Sequence, residues 1–282
     1  MSDAIAVHHG TYGRCGLYNL NRSLPNHANL ESHLIFFLNG ETGYSTVDGR
    51  VYPMNEDTIV AVNPLQPHAG EYGRHGGESC VVALYIKPEW LMEMGDGSGP
   101  LRFESNVLRS TDEIRQLLDQ VNQLIREPGT QELLHPLIYR LTRACLIASA
   151  RAADHPCANK APDSATRFTD PRIRKSLALI HEYLKDDVPP EHIAREVGLS
   201  RPHFYKLFRE HVGVTPSVYQ NALKIDVAIE RLTGSDMPVN SIGHELGFAS
   251  PASFSRFFTA NVGIPPVTYR RVSSVERESA IA

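Results

Sequence analysis

The sequence predicts an α+β chain in which a β-barrel or sandwich and a pair of helices precede an all-α domain. Three observations predict it. Short strand-like runs separated by turn residues fill the chain to Ile86, the apolar period switches to three and four residues at Ser110, and an internal repeat follows Pro190. A length of 282 residues suits two domains of ~100–200 residues, each large enough for its own core.

The strand runs begin near Tyr18. Leu34 to Leu38 is followed by Asn39-Gly40, and Tyr44 to Tyr52 contains Asp48-Gly49, a hairpin signal because both residues tolerate positive φ. Thr58 to Val62 ends in Asn63-Pro64, and Ser79 to Ile86 carries Val81, Val82, Leu84 and Ile86. Several short strands at this spacing suggest a closed or two-layered all-β unit.

Ile114, Leu117, Leu118, Val121, Leu124 and Ile125 then recur at helical spacing, with Ser110 and Glu113 read as a capping box. A second helix is expected from Gln131 to Ala152, with Leu133, Leu134, Leu137, Ile138, Leu141 and Ala148 apolar and Pro136 bending or delaying its first turn. Pro128-Gly129 joins the two. Their apolar stripe suits either the barrel or a partner subunit equally. Residues 154–169 (DHPCANKAPDSATRFT) have no apolar period and read as a linker. The expected division is a β-rich domain with its helical pair at 1–153, the linker, an all-α domain at 170–272, and a tail at 273–282.

Charge separates the halves. The whole chain is −4, but residues 1–166 hold 13 Lys and Arg against 19 Asp and Glu, whereas residues 167–282 hold 15 against 13. Cys15, Cys80, Cys145 and Cys157 are scattered without metal-ligand spacing, which fits free thiols in a reducing compartment. The first residues lack a basic region and apolar core, and Arg140, Arg143 and Arg151 interrupt the apolar stretch from Leu133. A cytoplasmic protein with no membrane partner is expected.

The repeat carries the most information. Ile193-x4-Gly198 matches Ile242-x4-Gly247, and Phe204, Phe208, Gly213, Pro216 and Tyr219 match Phe254, Phe258, Gly263, Pro266 and Tyr269, with one residue inserted in the second turn. Each copy has a short helix, a Gly for the turn, a Ser at the N-cap and a second helix ended by Gly, which is a helix-turn-helix. Phe204, Leu207 and Phe208, like Phe254, Phe257 and Phe258, form the inward stripe. The outward set is Arg201, Pro202, Tyr205, Lys206 and Arg209 in one copy and Pro251, Ala252, Ser255, Arg256 and Thr259 in the other, with Ser250 at the cap. Such residues suit base edges, Arg pairing with guanine and small side chains meeting thymine methyls.

Ile242 to Arg271, IGHELGFASPASFSRFFTANVGIPPVTYRR, closely resembles the signature of AraC-type transcription regulators, and the likeness extends from Pro171 to Arg271. The resemblance implies a bacterial, nucleoid-associated regulator, more an activator than a repressor. Two helix-turn-helix units joined by a helix from Pro216 to about Leu232 would read successive major-groove segments of promoter DNA, in contact with RNA polymerase. Asp170-Pro171 would open the domain's first helix. Pro202 departs from the polar or aromatic residue often found at its position.

The N-terminal half resembles, more loosely, the cupin-type sensor of the same family, through His27, Gly40, Asp48-Gly49, Pro53, Asp57 and the run Asn63-Pro64-Leu65-Gln66-Pro67-His68. The resemblance implies a cup for a small-molecule effector, with His27, Glu31, His33, Tyr44, His68, Glu71 and Tyr72 as candidate lining, and a homodimer held by the helical pair. His27, Glu31 and His68 also admit a metal-dependent cupin enzyme, but Asn29 stands where a second His of an HxH pair would be. Neither a resident metal, a cofactor nor a catalytic residue is therefore expected. Control by a protein partner is the remaining alternative.

Overall fold

The structure, a computed structural model, describes residues 2–73, 75–94, 102–127, 129–153, 170–186 and 188–275. Its first half contains β1 (Asp3–Gly10), β2 (Gly13–Leu20), β3 (Leu24–His27), β4 (Ser32–Gly40), β5 (Gly43–Val47), β6 (Arg50–Met54), β7 (Thr58–Val62), β8 (His68–Glu71) and β9 (Ser79–Ile86). A short helix α1 (Pro88–Met94), β10 (Val107–Arg109) and the helical pair α2 (Asp112–Leu124) and α3 (Gln131–Ala153) follow. The expected linker at 154–169, Pro128 and Cys157 lie outside the described residues. The second half contains α4 (Pro171–Glu182), α5 (Pro190–Glu196), α6 (Arg201–Val212), α7 (Pro216–Gly234), α8 (Val239–Glu245), α9 (Pro251–Val262), α10 (Pro266–Val272) and β11 (Ser273–Val275).

The strands form two facing sheets, a seven-stranded one in the order β10-β7-β4-β9-β2-β1-β11 and a four-stranded one in the order β3-β8-β5-β6. Asp48 and Gly49 make the two-residue turn between β5 and β6 with φ of 48° and 78°, the positive values that a tight hairpin demands. β4 and β9 run side by side in the middle of the larger sheet and are buried on both faces, which is why their sequences are continuous apolar runs with little alternation. Leu34, Phe36, Val82 and Leu84 look outward beneath the helical pair. Ile35, Val81 and Ala83 look inward toward the small sheet.

The helical pair covers the barrel. Ile114, Leu117, Leu118 and Val121 of α2 and Leu134, Ile138, Leu141 and Cys145 of α3 are buried in one cluster with Leu17, Leu34 and Phe36. Each such side chain is worth roughly 1.5–3 kcal/mol of apolar burial. Leu133 and Ile147 remain outside, 57% and 49% exposed. The equal choice that the sequence left between barrel and partner is thus decided for the inner stripe, while an outer face of α3 stays uncovered.

Three local expectations change. The capping residue of α2 is Thr111, whose hydroxyl accepts from the Ile114 backbone N–H, and the Ser110–Glu113 box does not form. Ser110 is instead fixed by its backbone, which donates to Asp57 and accepts from Arg115. Pro136 lies within α3, beyond its first turn. The residues before Tyr18 form most of two strands, β1 and β2, whose His and Gly content hid them.

In the second half, Asp170 caps α4 by accepting from the Arg172 N–H, and Pro171 takes the first helical position, as Asp170-Pro171 predicted. α7 is the linking helix, and Thr215 caps it. Two cores result. Phe204 and Phe208 bury with Ile173, Ile193 and Leu223, whereas Phe254, Phe258 and Tyr269 share one cluster with Tyr18, Ile35, Tyr72 and Val81 of the barrel. The start of the expected tail is structured as well, because β11 adds to the edge of the large sheet, parallel to β1, pairing Val7 with Ser273 and His9 with Val275.

Candidate DNA interface and sensor cup

Both helix-turn-helix units are built the same way. Gly198 and Gly247, with φ of 71° and 81°, let the chain turn, and Gly213 and Gly263, with φ of 93° and 92°, end the second helices in the left-handed conformation that only glycine adopts cheaply. Ser250 caps α9 through a reciprocal box with Ser253, so its hydroxyl is engaged in the helix; Ser200 sits at the same point of α6 without a side-chain cap.

The outward faces differ. Arg201, Pro202, Lys206 and Arg209 of α6 are exposed, but Arg201 Nε lies 2.7 Å from Glu191 and its guanidinium sits over the Tyr205 ring at 5.4 Å. Lys206 lies 3.9 Å from Glu210. Tyr205 is half-buried, its hydroxyl 3.2 Å from that of Ser217, and therefore leans back toward the domain. On α9, Pro251, Ala252 and Arg256 are exposed, while Ser255 and Thr259 are half-buried and joined by a hydroxyl-to-carbonyl bond of 2.6 Å. Arg256 has no carboxylate partner among the described residues.

Between the two sheets lies a cup lined by Tyr18, His27, His33, Ser45, His68, Tyr72 and Tyr85 and by apolar Ile35, Val81 and Ala83. Its cavity is about 30 Å³. The His27 and His68 rings lie 4.2 Å apart and the His33 and His68 rings 4.5 Å apart. Burial lowers the pKa of all three, that of His33 to about 3, so the cluster is neutral at pH 7. His27 Nδ1–H donates to the Pro25 carbonyl at 2.8 Å and His68 Nδ1–H to that of Gln66 at 2.9 Å, which leaves Nε2 of each ring as an acceptor. Asn29 donates to His68 Nε2 at 3.3 Å.

Of the candidates for the lining, the structure therefore brings His27, His33, His68 and Tyr72 together and places Glu31, Tyr44 and Glu71 elsewhere. Tyr44 and Glu71 pair across β5 and β8 on the outer face, because Gly43, Ser45 and Gly70 take the inward positions of the alternation. Glu31 turns to the buried Arg14, 2.8 Å away. The set His27, Glu31 and His68 is thereby broken, and among the described residues no three His, Cys, Asp or Glu are arranged to hold a metal ion. The sequence reading missed Tyr18, Ser45 and Tyr85, which the two-residue period of β2, β5 and β9 could have supplied. It had no signal for Val262, the last residue of α9, which forms part of the cup wall.

A barrel with a small internal cup, docked on two tandem helix-turn-helix units, defines a DNA-binding transcription regulator with a sensor domain. Residues 16–141 match the AraC-like ligand binding domain and residues 193–272 a helix-turn-helix domain. The chain belongs to the AraC-type transcription regulators. It is 25% identical over 262 residues to the transcriptional activator RhaS of Enterobacter, spanning 88% of both chains. To the regulatory protein PocR of Salmonella typhimurium it is 32% identical over 102 residues, 36% of this chain and about a third, 34%, of that one. Its fold is that of ToxT from Vibrio cholerae, solved with a bound unsaturated fatty acid, with a TM-score of 0.55 over 93% of this chain and 97% of that one at 15% identity. Among the described residues no helix is long and apolar enough to cross a membrane.

Proposed function

We propose that this chain is a transcription activator whose second DNA-reading helix is controlled by a small molecule bound in the barrel cup. The observation that carries the reading is Val262. One residue closes the wall of the cup and ends the helix that presents Pro251, Ala252, Ser255 and Arg256 to DNA, so filling the cup acts on that helix directly. A cavity of about 30 Å³ has room for little more than water, whereas ligand sites are typically ~300–1,000 Å³. An effector must therefore part the walls, and Val262 with Leu24 is the seam between the domains.

The lining indicates the effector's chemistry. Neutral imidazole acceptors, tyrosines and apolar side chains without a charged group suit a small uncharged molecule that donates hydrogen bonds through hydroxyl or N–H groups. On the DNA side, Arg201, Pro202, Lys206 and Arg209 of α6 join the α9 set, with Tyr205 in support of Arg201. The chain acts in the cytoplasm as a homodimer through the uncovered face of α3 around Leu133 and Ile147, near RNA polymerase at the promoter.

The test is a thermal-shift screen of the full chain against small metabolites, followed by footprinting on DNA sites selected by the full chain. A compound that raises the melting temperature should change operator affinity, and Val262→Ala should weaken that link. Binders that leave DNA affinity unchanged would refute the coupling. Arg256→Ala should weaken operator binding by ~1–3 kcal/mol and relax the preference at one base position.

A further inference from the structure

A second cavity between the domains belongs neither to the cup nor to the base-reading residues alone. It is an open groove of about 460 Å³ along the middle of α9, from Ser255 to Ala260. Ser255, Arg256, Thr259 and Ala260 of α9, with Pro265, form one wall, and Arg22, Ser23 and Pro25 of the barrel form the other. The lining holds two guanidinium groups, three hydroxyls and no carboxylate.

The two arginines face the groove with no acidic side chain in its walls. Arg14, Arg172, Arg201 and Arg231 all pair with carboxylates. Arg22 and Arg256 have no such partner among the described residues, although the half that carries Arg22 holds 19 acidic residues against 13 basic ones. Arg22 is exposed, and Nη2 donates to the carbonyl of Gly263 at 3.0 Å, so the second reading unit itself holds this side chain beside α9. The remaining guanidinium N–H groups are left for a further acceptor.

What passes there when DNA is bound follows from helix and groove dimensions. A helix ~10–12 Å across fills a major groove ~12 Å wide, so protein flanking that helix meets sugar-phosphate and not base edges. The N-terminal residues of a recognition helix reach the bases, and its later turns lie against the backbone. The groove starts at Ser255 and Arg256 and runs on beside Thr259 and Ala260 of those later turns, with Arg22 on its far wall. We propose that it is a phosphate clamp, in which Arg22 of the sensor holds the stretch of DNA backbone that flanks the base-reading Arg256. The sensor barrel then takes part in DNA binding itself, and DNA affinity depends on the docking of the two domains. This inference rests on the placement of α9 in the major groove.

The test measures binding of the full chain to its selected DNA site as a function of salt. Losing one phosphate contact should reduce the slope of log K against log[salt] by about 0.9. Arg22→Ala is expected to show that reduction with base preference unchanged, and Arg22→Lys to restore most of it. Loosened docking could also weaken binding, so Ser23→Arg provides a gain: a new cation on the same wall should steepen the slope by a similar amount, which loosening cannot mimic. Unchanged slopes in Arg22→Ala and Ser23→Arg, with Arg256→Ala still weakening binding, would overturn the clamp and leave the placement of α9 standing. No effect from any of the variants, Arg256→Ala included, would overturn both.

Discussion

The two helix-turn-helix units are near copies in sequence and in backbone, yet they are embedded in different surroundings. Phe204 and Phe208 of the first close a core made almost wholly within the DNA-binding domain, joined among the described residues by Ala28, Leu30 and Leu65 of the barrel. Phe254 and Phe258 of the second share their cluster with the inner face of the barrel. Further ties reach the second unit: Tyr269 meets His9 at 3.0 Å, Arg22 holds Gly263, and β11 extends the large sheet. The two units are alike in themselves, and the position of the barrel ties one of them to the sensor. On the proposed reading, the first holds DNA in either state, whereas the second is gripped or released.

Phe254→Ala and Phe204→Ala provide the strongest test of that contrast. Both rings are fully buried, and each truncation should cost ~3–5 kcal/mol in chemical denaturation. The two losses should spread differently. Phe254→Ala should also make the barrel more susceptible to proteolysis, because the ring belongs to a shared cluster, and Phe204→Ala should leave the barrel's resistance intact. Equal protection of the barrel in both variants would show that the second unit is no more coupled to it than the first.

This contrast was only half legible in the sequence. The repeat, the caps and the Phe stripes are local signals, set by spacings of three, four and about fifty residues, and they placed both readers and the linking helix. The strands of the barrel were legible where a turn residue or an apolar run marked them, as at Asp48-Gly49 and Leu34–Leu38. The cup was less so. Its inward residues depend on register, and a slip of one position exchanges Tyr44 for Ser45 or Glu71 for Gly70 and Tyr72. Glu31 looked like a cup residue until Arg14, seventeen positions earlier, was brought beside it by β2. Contacts between the domains, such as Val262 in the cup wall or β11 on β1, leave no local trace, because each partner is met by residues far away along the chain.

The glycines that end α6 and α9 test the contrast with a smaller perturbation. Alanine at either position must adopt φ above 90°, at a cost of ~1–2 kcal/mol. At Gly263 the added methyl would also press on Leu20 and Leu24 of the barrel, at 3.3 and 3.4 Å. Gly263→Ala should therefore lower stability by more than Gly213→Ala and alter the response of DNA binding to a cup ligand, a response that Gly213→Ala should leave unchanged. Equal losses in calorimetry would place the strain in the backbone alone.

A graded effect, spread over pH units, sharpens the sensor side of the comparison. The cup imidazoles have folded-state pKa values below their unfolded value of 6.5, so the unfolded chain binds protons first as pH falls. Their contribution to stability is complete above pH 6.5 and is lost progressively below it, for His33 down to about pH 3. Each such histidine lowers stability by at most ~1.4 kcal/mol per pH unit in that window. The first reading unit has no comparable buried cluster, since His192 and His203 are not buried. Denaturation of the full chain at pH 7, 6 and 5 should thus show a falling stability, and His33→Gln should flatten the fall by about one histidine's share. A wild-type curve that stays level over this range would mean that the cup takes up protons as readily folded as unfolded, and its imidazoles would then be poor acceptors for an uncharged effector.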